Sequence, residues 1–178
     1  MRLLVYGFGP YKQFKTNITQ KIVRKIPRSR KLKKIVLPVR FDKAQFISAI
    51  EKHRPDVILG LGQCGSGKYL RIERRAVNRR RDSKEEKGSA IRRGGPRSLA
   101  PTLTIAKATF AGDGIISSNA GDYVCNFSMY IMLDHLRRRS RKARFGFVHI
   151  PYDYDRGRAE RFVKKLIAGI EVRFKPWK

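Results

Sequence analysis

The chain has 178 residues, and its 42 Lys and Arg against 14 Asp and Glu give a formal net charge of +28. With 41% hydrophobic residues and only two cysteines, Cys64 and Cys125, the composition excludes a fibrous repeat and a disulfide scaffold. No apolar run approaches the roughly 18 residues of a membrane span, so no membrane insertion is expected. The opening residues turn into Gly7 and Pro10 too early for a signal-peptide core. The cytoplasm, with both thiols reduced, is therefore the expected compartment. Such a charge attracts nucleic acid and other polyanions and opposes compaction. The apolar residues nevertheless gather into short dense runs bounded by Gly, Pro and Asn, which is the signature of a folded protein with a basic surface.

In chain order, Arg2–Phe8 reads as a buried strand closed by Gly9 and Pro10. Asn17 opens a helix with apolar positions Ile18, Ile22, Val23 and Ile26, stopped by Pro27. Lys34–Val39 is a second strand. Asp42 caps a helix carrying Ala44, Phe46, Ile47, Ala49 and Ile50, which Arg54-Pro55 ends. Asp56–Leu61 is a third strand running into the glycine-punctuated loop 60–67. This rhythm of strand, helix and strand implies a parallel sheet. Leu70–Val77 alternates partly, as an outer strand would, and 79–101 is a loop expected to be mobile. Ile115–Ile116 is a short apolar stretch, and Tyr123–Leu136 is apolar nearly all round, which marks a buried helix. Residues 137–144 are basic at six of eight positions. Phe145–Ile150 is a late strand, and Ala159–Ile170 an amphipathic closing helix.

Few residues can carry chemistry. Cys125 stands three residues after Asp122, an expected N-cap, at the start of the buried helix. Backbone N–H groups and the helix dipole there stabilise a thiolate and lower the thiol pKa. His149 ends an apolar strand, at the edge where open α/β sheets bind ligands. Glu73 could orient its imidazole as the third member of a triad. Each has a plainer reading. Cys125 can be a small buried hydrophobe, His149 a satisfied structural residue, and Glu73 the partner of neighbouring arginines. Three scattered His and two Cys show no metal-ligand spacing, and the loop 62–68 lacks the spacing of a phosphate-binding loop.

Five stretches, in order along the chain, resemble the pyroglutamyl peptidase I (pyrrolidone-carboxylate peptidase) family. They are Tyr6-Gly7-Phe8-Gly9-Pro10-Tyr11; residues 52–63, ending in Gly60-Leu61-Gly62-Gln63; Glu73-Arg74-Arg75-Ala76-Val77-Asn78; residues 118–126 around Cys125; and Gly146-Phe147-Val148-His149-Ile150-Pro151-Tyr152. The resemblance implies a cysteine peptidase that removes N-terminal pyroglutamate from peptides and needs no cofactor or metal. Cys125 would be the nucleophile, His149 the general base and then acid, and Glu73 the orienting acid. Phe8 and Tyr11 would hold the pyroglutamyl ring, Tyr123 and Val124 would line its pocket, and Gln63 would sit near the lactam. Rhythm and resemblance together give one domain over residues 1–178, a three-layer α/β/α sandwich with a mostly parallel twisted central sheet. A homo-oligomer, dimer or tetramer, is implied as well.

The chain departs from the family at Lys12-Gln13, where two glycines are usual. It departs again past Asn78, where the family keeps a substrate-stabilising Arg and alignment offers Ser83, Lys84 or Arg81 without deciding among them. The alternative is a degenerate member whose basic runs, 71–81 and 137–144, bind nucleic acid or another polyanion.

Overall fold

A computed structural model describes residues 1–11, 14–83 and 85–174. Among these, β1 (Leu3–Phe8), α1 (Ile18–Lys25), β2 (Leu32–Leu37), α2 (Lys43–His53) and β3 (Val57–Cys64) follow the expected rhythm. Asn17 caps α1 by accepting from the Thr19 N–H at 2.9 Å, and Asp42 caps α2 by accepting from Ala44 N–H at 2.8 Å. Each cap satisfies a backbone donor that the first helical turn would leave without a partner.

The second half supplies β4 (Leu70–Glu73), β5 (Ala76–Val77), β6 (Ser98–Leu99), α3 (Lys107–Phe110), β7 (Gly114–Ser117), α4 (Val124–Arg138), β8 (Arg144–Pro151) and α5 (Arg156–Arg173). The main sheet has the order β2-β1-β3-β8-β4-β7. All its pairings are parallel except β4 with β8. The continuous apolar runs of β1, β3 and β8 fit this placement, because central parallel strands are covered on both faces. One face carries α1 and α5 over Leu3, Val5, Leu59 and Val148. The other carries α2 and α4 over Tyr6, Phe8, Ile58 and Phe147. The sandwich and its mostly parallel sheet are thus as expected.

One expectation fails. The run 70–77 is neither one strand nor an outer one. It breaks after Glu73, so that β4 lies inside the sheet while β5 turns away to pair with β6. The true edge is β7, where Ile115 and Ile116 are both exposed. The described residues of 79–101 are mostly irregular and make several hydrogen bonds to the rest of the fold. The Asn78 side chain holds the backbone of Arg92 through both N–H and C=O at 2.8 Å, Arg80 and Ser89 pair backbone to backbone, and the Tyr130 hydroxyl donates to Pro96 C=O at 2.9 Å.

Candidate active site

The carboxyl ends of β3, β4 and β8 meet the amino end of α4. Residues Gly60 and Gly62 of β3 face Phe147 and His149 of β8 in register. Because paired parallel residues project to the same side, the position a Gly62 side chain would fill reports which groups share that face. A Cβ there would lie 2.8 Å from Cys125 Sγ and 2.7 Å from the Phe147 ring. Cys125 and His149 therefore stand on the same side of the sheet, and only glycine at position 62 leaves room for the thiol.

His149 is held from both sides. Its ring meets the edge of Phe147, with centroids 5.1 Å apart. Its Nδ1 lies 2.8 Å from Glu73 Oε1, with side-chain exposures of 6% and 0%. A buried carboxylate at that distance accepts from Nδ1–H, which leaves Nε2 as the basic nitrogen. Glu73 Oε2 is buried without a hydrogen-bond partner. The structure thus sets aside the plainer reading of Glu73 as one more partner of the surrounding arginines. Its alternation partner on β4, Arg71, is directly opposite His149 in the antiparallel register.

Cys125 is the second residue of α4, whose N-cap, Tyr123, is extended and makes no side-chain cap bond. The expected cap, Asp122, is engaged elsewhere: its carboxylate meets Arg81 Nε at 3.0 Å and Arg79 Nε at 3.5 Å. Among the described residues, the N-cap side chain thus supplies no hydrogen bond to the first turn of α4. Gly121, at φ +75°, makes the left-handed turn that brings the chain into the helix. Asn126, the next residue, is fully buried and stitches the acid-bearing segment to α4. It accepts from Val77 N–H at 2.8 Å and donates to the carbonyls of Val77 and Arg79 at 2.9 and 2.8 Å.

The thiol corrects one expectation. Burial pushes the Cys125 pKa up, and the charges of Cys64 and Glu73 push in the same direction. Desolvation of the sulfur disfavours the thiolate there, against the effect of the helix start. Cys64, at the end of β3 on the same face, is itself pushed up to about 11, chiefly by burial.

A small cavity of about 20 Å³ adjoins the thiol, lined by Phe8, Tyr11, Asn17, Val39, Gln63, Tyr123, Val124 and Cys125. All five residues expected to bind substrate, Phe8, Tyr11, Gln63, Tyr123 and Val124, therefore surround one space. Asn17 and Val39 line it too, and sequence reasoning missed both. Asn17 is disguised as a helix cap, while its Nδ2 also donates to Gly9 C=O at 3.0 Å and fixes the first loop. Tyr11 and Tyr123 stand 6.2 Å apart, and Phe41 backs Tyr123 at 5.3 Å. Gln63 Oε1 accepts from Ile18 N–H at 2.9 Å, and the Gln63 amide also meets the Tyr11 side chain. Of the three positions that alignment left open, Arg81 is drawn to the start of α4 by Asp122; Lys84, like Lys12 and Gln13, lies outside the described residues.

A parallel α/β sheet carrying a helix-borne thiol beside a buried histidine–carboxylate pair defines the class of cysteine-nucleophile hydrolases. The comparisons narrow that class. The pyroglutamyl peptidase family profile matches residues 1–159. The pyrrolidone-carboxylate peptidase of Erwinia tasmaniensis is 40% identical over 117 residues, covering 59% of this chain and 54% of that one. That of Pyrococcus furiosus is 32% identical over 170 residues, covering 85% and 81%. A mutant pyrrolidone carboxyl peptidase structure from the same hyperthermophile superposes with a TM-score of 0.87 at 25% identity, covering 98% of this chain and all of that one. The chain belongs to the pyroglutamyl peptidase family.

Proposed function

We propose that the chain is a cysteine exopeptidase that releases pyroglutamate (5-oxoproline) from the amino terminus of peptides, with Cys125, His149 and Glu73 as its catalytic group. Membership of the family supports the reaction, and the placement of one cavity, lined by Phe8, Tyr11, Gln63, Tyr123 and Val124, against Cys125 carries the assignment of the site. The Gln63 amide is the group there that can meet the lactam of pyroglutamate, and Phe8, Tyr11 and Tyr123 offer apolar walls to its flat ring. The cavity has room for little more than a water molecule, so entry of the ring requires Tyr11 and Tyr123 to part.

His149 Nε2 takes the thiol proton as Cys125 Sγ attacks the carbonyl carbon that joins pyroglutamate to the next residue. Glu73 stabilises the imidazolium that forms. The resulting oxyanion meets the free N–H groups at the start of α4, among them that of Cys125. Collapse of the tetrahedral species breaks the C–N bond, and His149 returns its proton to the departing amine. The thioester left on Cys125 is hydrolysed by a water that His149 deprotonates. This chemistry needs no cofactor.

Among the described residues no helix is long and apolar enough to cross a membrane. A thiol enzyme requires a reducing compartment, which the cytoplasm supplies. A dimer or tetramer is carried over from the family, and sedimentation would test it. The decisive assay is release of a fluorogenic amine from a pyroglutamyl amide. Activity that is lost in Cys125→Ala and on thiol alkylation is the expected result. A folded, reduced chain with a titratable Cys125 and no turnover would overturn the reading.

A further inference from the structure

The carboxyl end of α4 carries more positive charge than the fold uses. The acids described in this region are all occupied. Asp134 is paired with Arg92 at 2.9 Å and Arg137 at 3.2 Å, Glu51 takes both His135 and Arg141, and Asp56 takes the amino terminus and Arg2. Arg54, Arg138, Arg139, Lys142 and Arg144 are exposed, and among the described residues none of them has a carboxylate partner. These cations rim two concavities. One, of about 450 Å³, lies between α2 and α4 with Arg138 and Arg139 at its mouth and Ile47, Ile91 and Ile131 in its lining. The other, of about 770 Å³, lies at the amino ends of the strands and is lined by Arg2, Arg54, Lys142 and Arg144. The Glu51–His135–Arg141 linkage separates them. Arg138, Arg139, Arg141, Lys142 and Arg144, which run along the chain from the rim of one concavity to the other, make up a cationic tract.

We propose that this tract binds the phosphodiester backbone of double-stranded nucleic acid, independently of sequence. Most of its free cations are arginines, whose planar forks match phosphate oxygens in pairs and are less strongly hydrated than ammonium groups. Among the described residues Phe174 is the only Phe, Tyr or Trp lining either concavity, so these residues offer few of the stacking platforms that single strands use. The described residues also offer no projecting amphipathic helix there of the kind that enters a lipid surface. The tract lies at the opposite end of α4 from Cys125, about 20 Å away along a fifteen-residue helix. A bound duplex therefore leaves the thiol open, and the inference stands whatever the peptidase acts on.

The test is fluorescence anisotropy of a labelled mixed-sequence DNA duplex titrated with the full chain over a range of salt concentrations. Two triple variants are compared, R138Q/R139Q/K142Q on the tract and K21Q/R24Q/K25Q on α1, across the sheet. Both remove three charges. Neutralising the tract should weaken binding at least tenfold and reduce the slope of log affinity against log salt by about two to three, near 0.9 for each phosphate that is no longer neutralised. The α1 variant should shift affinity less than threefold. Single substitutions R138Q and K142Q grade the effect if the triple variant unfolds. Equal weakening by the two triple variants would assign the binding to total charge and overturn the proposal. So would absence of duplex binding at low salt, tighter binding to a single strand than to the duplex, or loss of binding to phosphatidylserine vesicles with the duplex unaffected.

Discussion

The two ends of α4 are built on opposite rules. At its amino end the acids are committed to particular partners: Asp122 draws Arg79 and Arg81, and Glu73 is spent on His149. The polar atom left over there, Glu73 Oε2, is buried. At its carboxyl end the acids run out and exposed arginines remain. A buried polar remainder is costly and therefore informative, because something must complete it. An exposed cation is cheap, so a single one says little, and only a clustered excess over concave surface points to a partner. One helix thus carries a site whose meaning lies in geometry and a surface whose meaning lies in charge.

The contrast is broken most sharply at the amino end. Replacing Cys125 by Ala should abolish turnover of a pyroglutamyl amide, a fall of at least about 10⁴-fold, with the fold intact because the residue is small and half-buried. Glu73→Gln should lower kcat by about 10²- to 10⁴-fold with little change in KM, because the amide reverses the hydrogen bond and favours the wrong tautomer of His149. A wild-type kcat in Glu73→Gln would show that the 2.8 Å contact merely packs the ring. Asn126→Ala should act through stability as well. It strands the Val77 N–H and the carbonyls of Val77 and Arg79, costs about 2–3 kcal/mol, and lowers kcat by loosening the segment that carries Glu73. Thermal unfolding and kcat together separate that variant from a purely local one.

The thiol offers a test in pH. Its pKa is raised above the ordinary 9.0, so the thiolate fraction is small at neutral pH and grows about tenfold with each unit up to and beyond pH 9. Alkylation of Cys125 by iodoacetamide, measured in a Cys64→Ala background, should therefore keep rising past pH 9. A plateau near pH 6–7 would instead reveal a standing thiolate–imidazolium pair, and would restore the lowered pKa that the position at a helix start suggests.

Much of this was legible in the residues. The continuous apolar runs of β1, β3 and β8, the caps Asn17 and Asp42, and the stretches around Glu73, Cys125 and His149 announce the sandwich and bring the same residues to one sheet edge. What stayed hidden depends on partners distant in sequence. Nothing in Leu70–Val77 shows that the strand breaks so that Asn126 can grip Val77, nor that Asp122 will prefer Arg81 to the helix it precedes. Val39 gives no sign that it will line the cavity. The direction of the thiol pKa is likewise invisible, because burial is a property of the packed site and a helix start is a property of the sequence.

The smallest effect is expected at the carboxyl end, where R138Q/R139Q/K142Q should leave kcat and KM within about twofold of the parent. Two opposing contributions keep the stability change small as well. Cations in the last turn of α4 complement the partial negative charge of its free carbonyls, at about 0.3–1 kcal/mol each when exposed and at low salt. The same cations repel one another and the rest of a chain of charge +28, and neutralising them relieves that repulsion. Salt screens both contributions. The unfolding midpoint of the variant should therefore differ from the parent's by no more than a few degrees, and by less in high salt. A large loss of activity at unchanged stability would couple the basic end to the thiol along α4 and erase the division between them; an unchanged kcat with duplex binding abolished would leave one helix serving two separate surfaces.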